Sequence, residues 1–257
     1  MNMQIYVCIK HVPDTAVNIN VVGECGFDES VKFVMNPYDE YAVEEAIQIR
    51  KKAGGEVIIV SVGKEAATKT IRSALAVGAD RGILVKTDTQ FLDSSLTAQA
   101  LTKVIEQDGS PDMIFTGKQS VDSEGMQIPY RLAAAFDMPV VSDVAALSMG
   151  DGNVTVEREI GSGSREVIEM TLPCVVGATK GLNEPRYANM VGIMKAKKKK
   201  LDQIDIADLG LDINAAGTKL TELKPFPERG KGKILQGSPQ EMAEELTQLL
   251  KNEAKVL

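Results

Sequence analysis

The sequence predicts an α/β fold: an open parallel sheet with helices on both faces, an antiparallel extension and a C-terminal arm. Three observations support this prediction. In the first 140 residues, short β-rich runs alternate with longer helical patterns, as in strand–helix–strand units. After Gly150 the runs alternate apolar and polar residues and are separated by Gly-Ser turns. Beyond Leu182 the chain becomes polar and irregular until a last helical pattern.

Apolar runs predict the strands of the parallel core. Strands that are covered on both faces read as nearly continuous hydrophobic segments, because neither face meets water. Four such runs lie before residue 120, and "PVVSDVAAL" adds a fifth. The predicted strands are residues 4–10, 56–63, 81–87, 112–118 and 139–147.

Helical patterns separate these strands. Each has apolar residues at helical spacing and ends at glycine, which readily adopts the backbone conformation of a helix C-terminus. The patterns span residues 39–55, 66–80 and 94–109, and their final glycines are Gly54, Gly55, Gly78 and Gly109. Residues 18–34 interrupt the alternation and predict a polar hairpin or loop after the first strand.

Three further strands are predicted after Gly150, at residues 153–160, 165–172 and 174–179. We interpret them as antiparallel strands that extend an edge of the main sheet. A domain over residues 1–182 would then be followed by an arm over residues 183–257. So long a stretch with little periodic pattern is typical of segments that bind partners.

The arm ends in a predicted helix. Ser238 is its expected N-cap and Pro239 its first helical residue. Four apolar residues follow one face of it, and that face can pack on its own domain or on a second subunit. They are Met242, Leu246, Leu249 and Leu250.

Composition excludes several classes of partner and compartment. The formal charge of -7 disfavours nucleic acid and anionic membranes as main partners, although Lys195–Lys200 form a local basic run. Three cysteines without C-x-x-C spacing suggest free thiols in a reducing compartment. No signal-type start and no apolar stretch of spanning length are present. We expect a cytoplasmic protein without direct membrane insertion.

Catalytic motifs are missing from the sequence. His11 is the only histidine, and we interpret it as structural. The sequence contains no G-x-S-x-G, no H-E-x-x-H and no carboxylate-rich metal motif, so a hydrolase or metalloenzyme is disfavoured. We therefore predict no catalytic residue and no metal site.

A polar loop at the end of the fourth strand could bind phosphate. Ligands of open parallel sheets bind beyond the carboxyl ends of the strands. The G-x-G-x-x-G and Walker motifs are absent, but "GKQSVDSEGMQIPY" leads into a helix whose backbone N–H groups can hold an anion. Lys118 is the only cation of this loop. The alternative is an ordinary connection in which Asp122 or Ser123 caps the helix.

Four segments in this order resemble the β subunit of electron-transfer flavoproteins, over nearly the whole chain. They are "MNPYDEYAVEEAI", "GKQSVDSEGMQ", "VEREIGSGSREVIEMTLPCVVGA" and "GLNEPRYANMVGIMKAKKKK". The resemblance implies a Rossmann-like core, a heterodimer with an α subunit, an FAD held mostly by α, and AMP in the β core. It also implies an electron carrier, which is not itself an enzyme, between acyl-CoA or other dehydrogenases and a quinone oxidoreductase or other acceptor.

The resemblance also assigns site residues. A nucleotide pocket for AMP, or for a second FAD, would consist of Cys8, Asn36, Pro37, Tyr38, Asp39, Val62, Gly117, Lys118, Gln119, Ser120, Val121, Asp122, Ser123, Glu124, Gly125, Met126, Gln127 and Ile128. The recognition loop for partner dehydrogenases would consist of Glu184, Pro185, Arg186, Tyr187, Ala188, Asn189, Met190, Val191, Gly192, Ile193, Met194, Lys195, Ala196 and Lys197. Met190 stands where the family has an anchoring leucine.

Two branches of the family remain open. Ordinary members hold AMP in the β subunit, whereas bifurcating, NADH-oxidising members hold a second FAD there. Thr15 and Ile128 are closer to the bifurcating pattern, and "EREIGSG" and "NEPRYANMVGIMKAKKKK" to the ordinary one; we favour AMP. Two rivals lack support. An ATP-using enzyme of related fold would need a Gly/Ser-rich phosphate loop, which "CIKHVPDTA" lacks, and a stand-alone NADH oxidoreductase would need its own flavin fingerprint.

Overall fold

A nine-stranded sheet is the centre of the chain up to Leu223. The computed structural model describes residues 2–225, 227, 230 and 232–257. Its strands are β1 (Gln4–Cys8), β2 (His11–Pro13), β3 (Val21–Val22), β4 (Gly26–Phe27), β5 (Phe33–Met35), β6 (Glu56–Gly63), β7 (Arg81–Lys86), β8 (Met113–Gly117), β9 (Val140–Met149), β10 (Asn153–Gly161), β11 (Ser164–Thr171), β12 (Cys174–Ala178) and β13 (Leu201–Asp205). Its α-helices are α1 (Pro37–Ala53), α2 (Thr68–Val77), α3 (Ser94–Asp108), α4 (Ile128–Phe136), α5 (Met190–Ala196) and α6 (Pro239–Asn252).

The strand order of the main sheet is β11-β10-β9-β12-β8-β1-β6-β7-β13. The seven strands from β9 to β13 in this order are parallel, and β10 and β11 add an antiparallel hairpin at one edge. The predicted α/β class, with its parallel sheet and antiparallel extension, is confirmed.

Helices cover both faces of this sheet. Successive residues of each strand point to opposite faces, so neighbouring residues pack against different helices. Ile5 and Val7 of β1 belong to a buried cluster that also contains residues of α1 and α2. Tyr6, between them, belongs to a second buried cluster with residues of α3 and α4. The sheet is therefore buried on both faces at its centre, as the apolar runs predict.

β12 differs from its prediction as an antiparallel strand. It pairs parallel with β8 and with β9, in the interior of the sheet. All five of its residues are buried. The run "CVVGA" has no polar residue at alternate positions, which is the mark of a strand covered on both faces and not of an edge hairpin. β1 also ends earlier than predicted, at Cys8, after which β2 pairs with β5.

Residues 18–34 contain a hairpin, as one of the two predicted alternatives requires. β3 and β4 pair antiparallel, with Val21 opposite Phe27. The Phe27 ring lies 6.3 Å from the Phe33 ring and 5.9 Å from the Phe91 ring, measured between centroids. Aromatic packing therefore attaches the hairpin to the segments before α1 and α3.

The chain beyond residue 182 contains more regular structure than its sequence pattern suggests. α5 forms within the predicted recognition loop, and β13 pairs parallel with β7 as the last strand of the sheet. The division at residue 182 stays a proposal about function, since the compact unit continues to Leu223.

Residues from Lys224 to Leu257 form a second unit. Its predicted irregular stretch falls partly outside the described residues, at Phe226, Glu228, Arg229 and Lys231. The predicted cap of α6 is confirmed: Ser238 and Glu241 form a capping box, and Pro239 is the first helical residue.

Candidate nucleotide site and recognition segment

The predicted nucleotide residues meet at the carboxyl edge of the sheet. From β1 the chain moves to β6 on one side, and it later returns to β8 on the other side of β1. Ligands of open α/β sheets bind in the crevice beyond the strands at such a reversal. Cys8, Val62 and Gly117 lie at or near the carboxyl ends of these three strands.

Asp39 connects three chain segments at this edge of the sheet through hydrogen bonds. It lies in the first turn of α1 and is 4% exposed. Its Oδ2 accepts a hydrogen bond from the backbone N–H of Lys10 at 2.7 Å, and its Oδ1 accepts from the N–H of Gly117 at 3.0 Å. One buried carboxylate thus links the segment after β1, the end of β8 and the start of α1.

The Asn36 side chain fixes the phosphate-loop candidate to this centre. Its Nδ2 donates to Asp39 Oδ1 at 2.8 Å and to the carbonyl of Gln119 at 2.8 Å. Its Oδ1 accepts from the N–H of Val121 at 3.1 Å. The N-cap side chain of α1 makes no capping bond to its own helix, and it holds the loop of residues 117–128 instead.

Burial controls the protonation of this centre. Burial raises the pKa of Asp39 to about 7, against the opposing effect of the hydrogen bonds from Asn36 and from the Lys10 and Gly117 amides. Burial also raises the pKa of the Cys8 thiol. A thiol so protonated is a poor nucleophile, which fits a role in lining a pocket.

Gly117 leaves no room for a side chain. A Cβ atom at this position would lie 2.4 Å from Asp39 Oδ1 and 2.7 Å from Tyr38 Cβ. The start of α1 therefore approaches the end of β8 so closely that only glycine is accommodated.

The loop that follows is exposed and irregular. Residues from Asp122 to Gln127 are exposed, and Glu124 and Met126 have left-handed backbones with φ of 49° and 54°. Ile128 is the first residue of α4, and no side chain caps this helix. Backbone N–H groups at a left-handed turn and an uncapped helix start are suited to an anion, so the geometry fits a phosphate group.

The alternative assignment of Asp122 or Ser123 as a helix cap is wrong. Asp122 accepts from Lys10 Nζ at 2.8 Å, and the Ser123 hydroxyl lies 2.8 Å from that of Ser120. The residue before α4 is Gln127. These side chains stabilise the loop itself.

Two cations besides Lys118 lie at this loop, and the sequence interpretation missed both. Lys10 pairs with Asp122, and the Arg131 guanidinium donates to Gln127 Oε1 at 2.7 Å. Lys118 itself donates to Asp143 Oδ1 at 3.0 Å, with its Nζ 5.3 Å from the centre of the Tyr38 ring. Arg131 could have been found, since it lies in the first turn of the predicted helix.

His11 has a structural position, as expected. Its Nδ1 lies 2.7 Å from the Thr70 hydroxyl and its ring stacks on Phe33 at 4.6 Å. Burial lowers the pKa of His11, which favours the neutral ring.

The predicted recognition loop presents apolar side chains to solvent. Tyr187 is 97% exposed, Met190 is 74% exposed, and Val191 and Met194 are more than half exposed. α5 begins at Met190, and the Asn189 side chain caps it by accepting from the N–H of Gly192 at 2.8 Å. An exposed apolar cluster beside lysines is typical of a protein-binding surface.

In the described part of the chain, the His, Cys, Asp and Glu side chains form no group of three or more that could hold a metal ion. Across the same residues, no helix is both long and apolar enough to cross a bilayer.

Comparisons with known proteins agree with the sequence resemblance. A family model described as "Electron transfer flavoprotein domain" matches residues 25–209. The protein named "Electron transfer flavoprotein subunit beta" of Bacillus subtilis is 39% identical, over 99% of this chain and 100% of its own length. Proteins of the same name are 35% identical in Syntrophomonas wolfei, over 100% and 99% of the two chains, and 38% identical in Homo sapiens, over 90% and 91%.

Proposed function

The chain belongs to the family of electron-transfer flavoprotein β subunits, and from this premise we propose that it is the small subunit of a heterodimer that carries electrons through FAD. The FAD would be held mainly by the α subunit. The β subunit would contribute an adenine-nucleotide site and a docking segment. It would act as a carrier, without chemistry of its own.

We propose AMP as the ligand of the β core. The observation that carries this is the convergence of the loop of residues 117–128 with Asn36 and Asp39 at the reversal point of the sheet. The loop carries an exposed left-handed turn and an uncapped helix start, which together suit a single phosphate. The buried thiol of Cys8 and the side chain of Val62 face the same side of the sheet and would line the pocket.

We propose that electrons arrive from dehydrogenases of the acyl-CoA type and leave to a quinone oxidoreductase or a similar acceptor. The exposed side chains of Tyr187, Met190, Val191 and Met194 support a docking role for the segment of residues 184–197. Lys195 and Lys197 beside them are exposed and would steer an acidic partner surface.

Nucleotide release from the purified heterodimer tests the proposal. After denaturation, chromatography should recover one AMP and one FAD for each heterodimer. Recovery of two FAD and no AMP would overturn the choice of AMP and assign the chain to the bifurcating branch, with NADH oxidation to be assayed next. Recovery of ATP would favour the ATP-using class.

A further inference from the structure

The helix that carries Met190, α5, is too short to be stable without contacts to the rest of the protein. α5 has seven residues, and an isolated helix of this length is unstable in water. Of these residues only Ala196 is buried, so the hydrophobic packing of α5 is small. The contacts at its two ends must therefore supply the order.

One set of contacts holds the chain before α5. The Arg186 guanidinium forms two hydrogen bonds with the carboxylate of Glu44, one of them from Nε to Oε2 at 2.6 Å. Glu44 is 6% exposed in its side chain. Burial alone would raise the pKa of Glu44, but the hydrogen bonds from Arg186 and Gln48 lower it below its ordinary range. The pair thus stays charged, and a bidentate pair fixes both distance and orientation.

The neighbouring residues strengthen this first clamp. The Asn183 side chain donates to the carbonyl of Tyr41 at 3.0 Å and to the carboxylate of Glu45 at 2.9 Å. Two consecutive buried carboxylates of α1, those of Glu44 and Glu45, therefore accept hydrogen bonds from the segment that leads into α5.

A second set of contacts holds the end of α5 on α2. Arg72 of α2 donates to the carbonyls of Ala196 and Lys199 at 2.6 and 2.7 Å. Lys199 donates in return to the carbonyls of Leu75 at 2.9 Å and of Ala79. Arg72 of α2 thus lies at the C-terminal end of α5, and Lys199, three residues beyond α5, lies at the C-terminal end of α2. The helix dipole and unpaired carbonyl oxygens favour positive charge at both places.

α5 and α2 also touch directly. A Cβ atom on Gly192 would lie 2.3 Å from the carbonyl oxygen of Ala76. The middle of α5 is therefore seated on the C-terminal half of α2, with Met190 and Met194 left exposed.

We propose that four positioning residues hold α5 in its docking conformation before a partner arrives. Glu44 and Arg186 act before the start of α5, and Arg72 and Lys199 act at its end. The inference rests on the proposed docking role of this segment. A pre-ordered helix loses little conformational entropy on binding. If a clamp is removed and α5 is formed in only about one molecule in ten, the apparent affinity for a partner falls about tenfold.

Two clamp variants of the α/β heterodimer test this, with reduced acyl-CoA dehydrogenase as electron donor. Lys199→Gln removes a cation at the C-terminus of α2. The double variant Glu44→Gln/Arg186→Gln removes both charges of the ion pair, so that neither charge is left buried without its partner. Lys103→Gln is the matched control, because Lys103 donates to the carbonyl of Leu209 at 2.7 Å, in a contact of the same kind on α3.

In both clamp variants the KM of the dehydrogenase for the heterodimer should rise about tenfold with kcat and FAD content unchanged. Amide hydrogen exchange of residues 189–196 should accelerate in the same variants and stay unchanged in Lys103→Gln. Should one clamp variant fail to assemble, the other decides the question.

Unchanged KM or unchanged exchange in the clamp variants would overturn the inference. Met190→Ala in the same assay separates the docking role of the segment from the positioning role of the clamps. If Met190→Ala raises KM and the clamp variants do not, the docking role stands and the positioning role fails. If Met190→Ala also leaves KM unchanged, the docking role is wrong and the positioning inference fails with it.

Discussion

At the scale of single residues, burial and hydrogen bonding act in opposite directions on the pKa of Asp39. Burial favours the protonated carboxyl, whereas the Lys10 and Gly117 amides and the Asn36 side chain favour the charged form. The balance is a pKa of about 7, raised above the value near 4 of an unfolded chain. Between about pH 4 and pH 7 the folded protein therefore binds this proton more tightly than the unfolded chain does.

The sign of the pH dependence follows. The stability linked to Asp39 is fully present below the unfolded pKa and is lost as pH rises through the folded pKa. The unfolding free energy of wild type minus that of Asp39→Asn should fall by about 1 kcal/mol for each pH unit between roughly pH 4 and 7, and then level off. Urea titrations of both proteins across this range measure the difference. A difference that grows with pH would show that the three hydrogen bonds outweigh burial.

The charge of Lys118 should matter little for nucleotide binding. Its ammonium group is already paired with Asp143, so its field at the loop is partly cancelled. Lys118→Ala should lower the AMP retained by the purified heterodimer by less than about threefold, because in the proposed site the backbone amides and the dipole of α4 would supply most of the anion field. Chromatography after denaturation measures the retained AMP.

Asp122→Ala is the matched comparison. It removes the partner of Lys10 and one hydrogen bond that shapes the loop, so it should lower retention more than Lys118→Ala does. Complete loss of AMP in Lys118→Ala would contradict the assignment of the phosphate to backbone amides.

At the scale of elements, we expect one side chain of α5, that of Met190, to contribute most to docking. Met190 is 74% exposed at the first position of the helix, and its flexible thioether can adapt to several pockets. Met190→Ala should weaken binding of a donor dehydrogenase by on the order of 2 kcal/mol, or roughly 30-fold in affinity. The electron-transfer rate measured against donor concentration, at unchanged FAD content, gives this number.

A rate unaffected by Met190→Ala with every donor tested would show that the exposed side chain serves another purpose. Ile193→Ala is a useful control on the same helix. Ile193 is less exposed, at 41%, and lines the groove between α5 and α2, so Ile193→Ala should loosen α5 and accelerate its amide exchange, whereas Met190→Ala should weaken docking with that exchange unchanged.

Elements with one clear hydrophobic period were predictable from sequence. β6, β7 and β8 read as continuous apolar runs and were found within a residue or two of their prediction. β13 was not predicted, because "LDQID" is polar and short and becomes a strand only by pairing with β7. The direction of β12 was missed for a related reason: a strand's partners are set by tertiary structure.

The candidate site shows the same limit. Its residues were named through the resemblance, but the contacts between Asn36 and Val121 or between Lys10 and Asp122 join positions more than 80 residues apart in the chain. Such long-range pairs cannot be predicted from local sequence patterns. The clamps of α5 were missed because their acceptors are mostly backbone carbonyls or residues of α1.

For the whole molecule, surfaces in both units suggest a second subunit. In the unit up to Leu223, apolar side chains of α5 and of the β10–β11 hairpin are exposed, among them Ile160 and Val167. In the unit from Lys224, none of the fourteen residues of α6 is buried, although the helix carries an apolar face. An amphipathic helix gains most of its stability from packing that face.

Co-expression with a cognate α subunit should therefore yield a 1:1 complex that contains FAD, whereas the β chain alone should bind no redox flavin. Light scattering gives the mass of each species, and the visible spectrum with released FAD gives the flavin content. Association should also raise the stability of the β chain, because a partner that binds only the folded state shifts the folding equilibrium by mass action. A β chain that stays monomeric beside α, or that binds redox flavin fully without it, would contradict the proposal of an obligate heterodimer. A complex that forms but loses FAD when α6 is truncated would place the terminal helix at the shared flavin, whereas a truncated chain that no longer assembles would place it in the subunit interface.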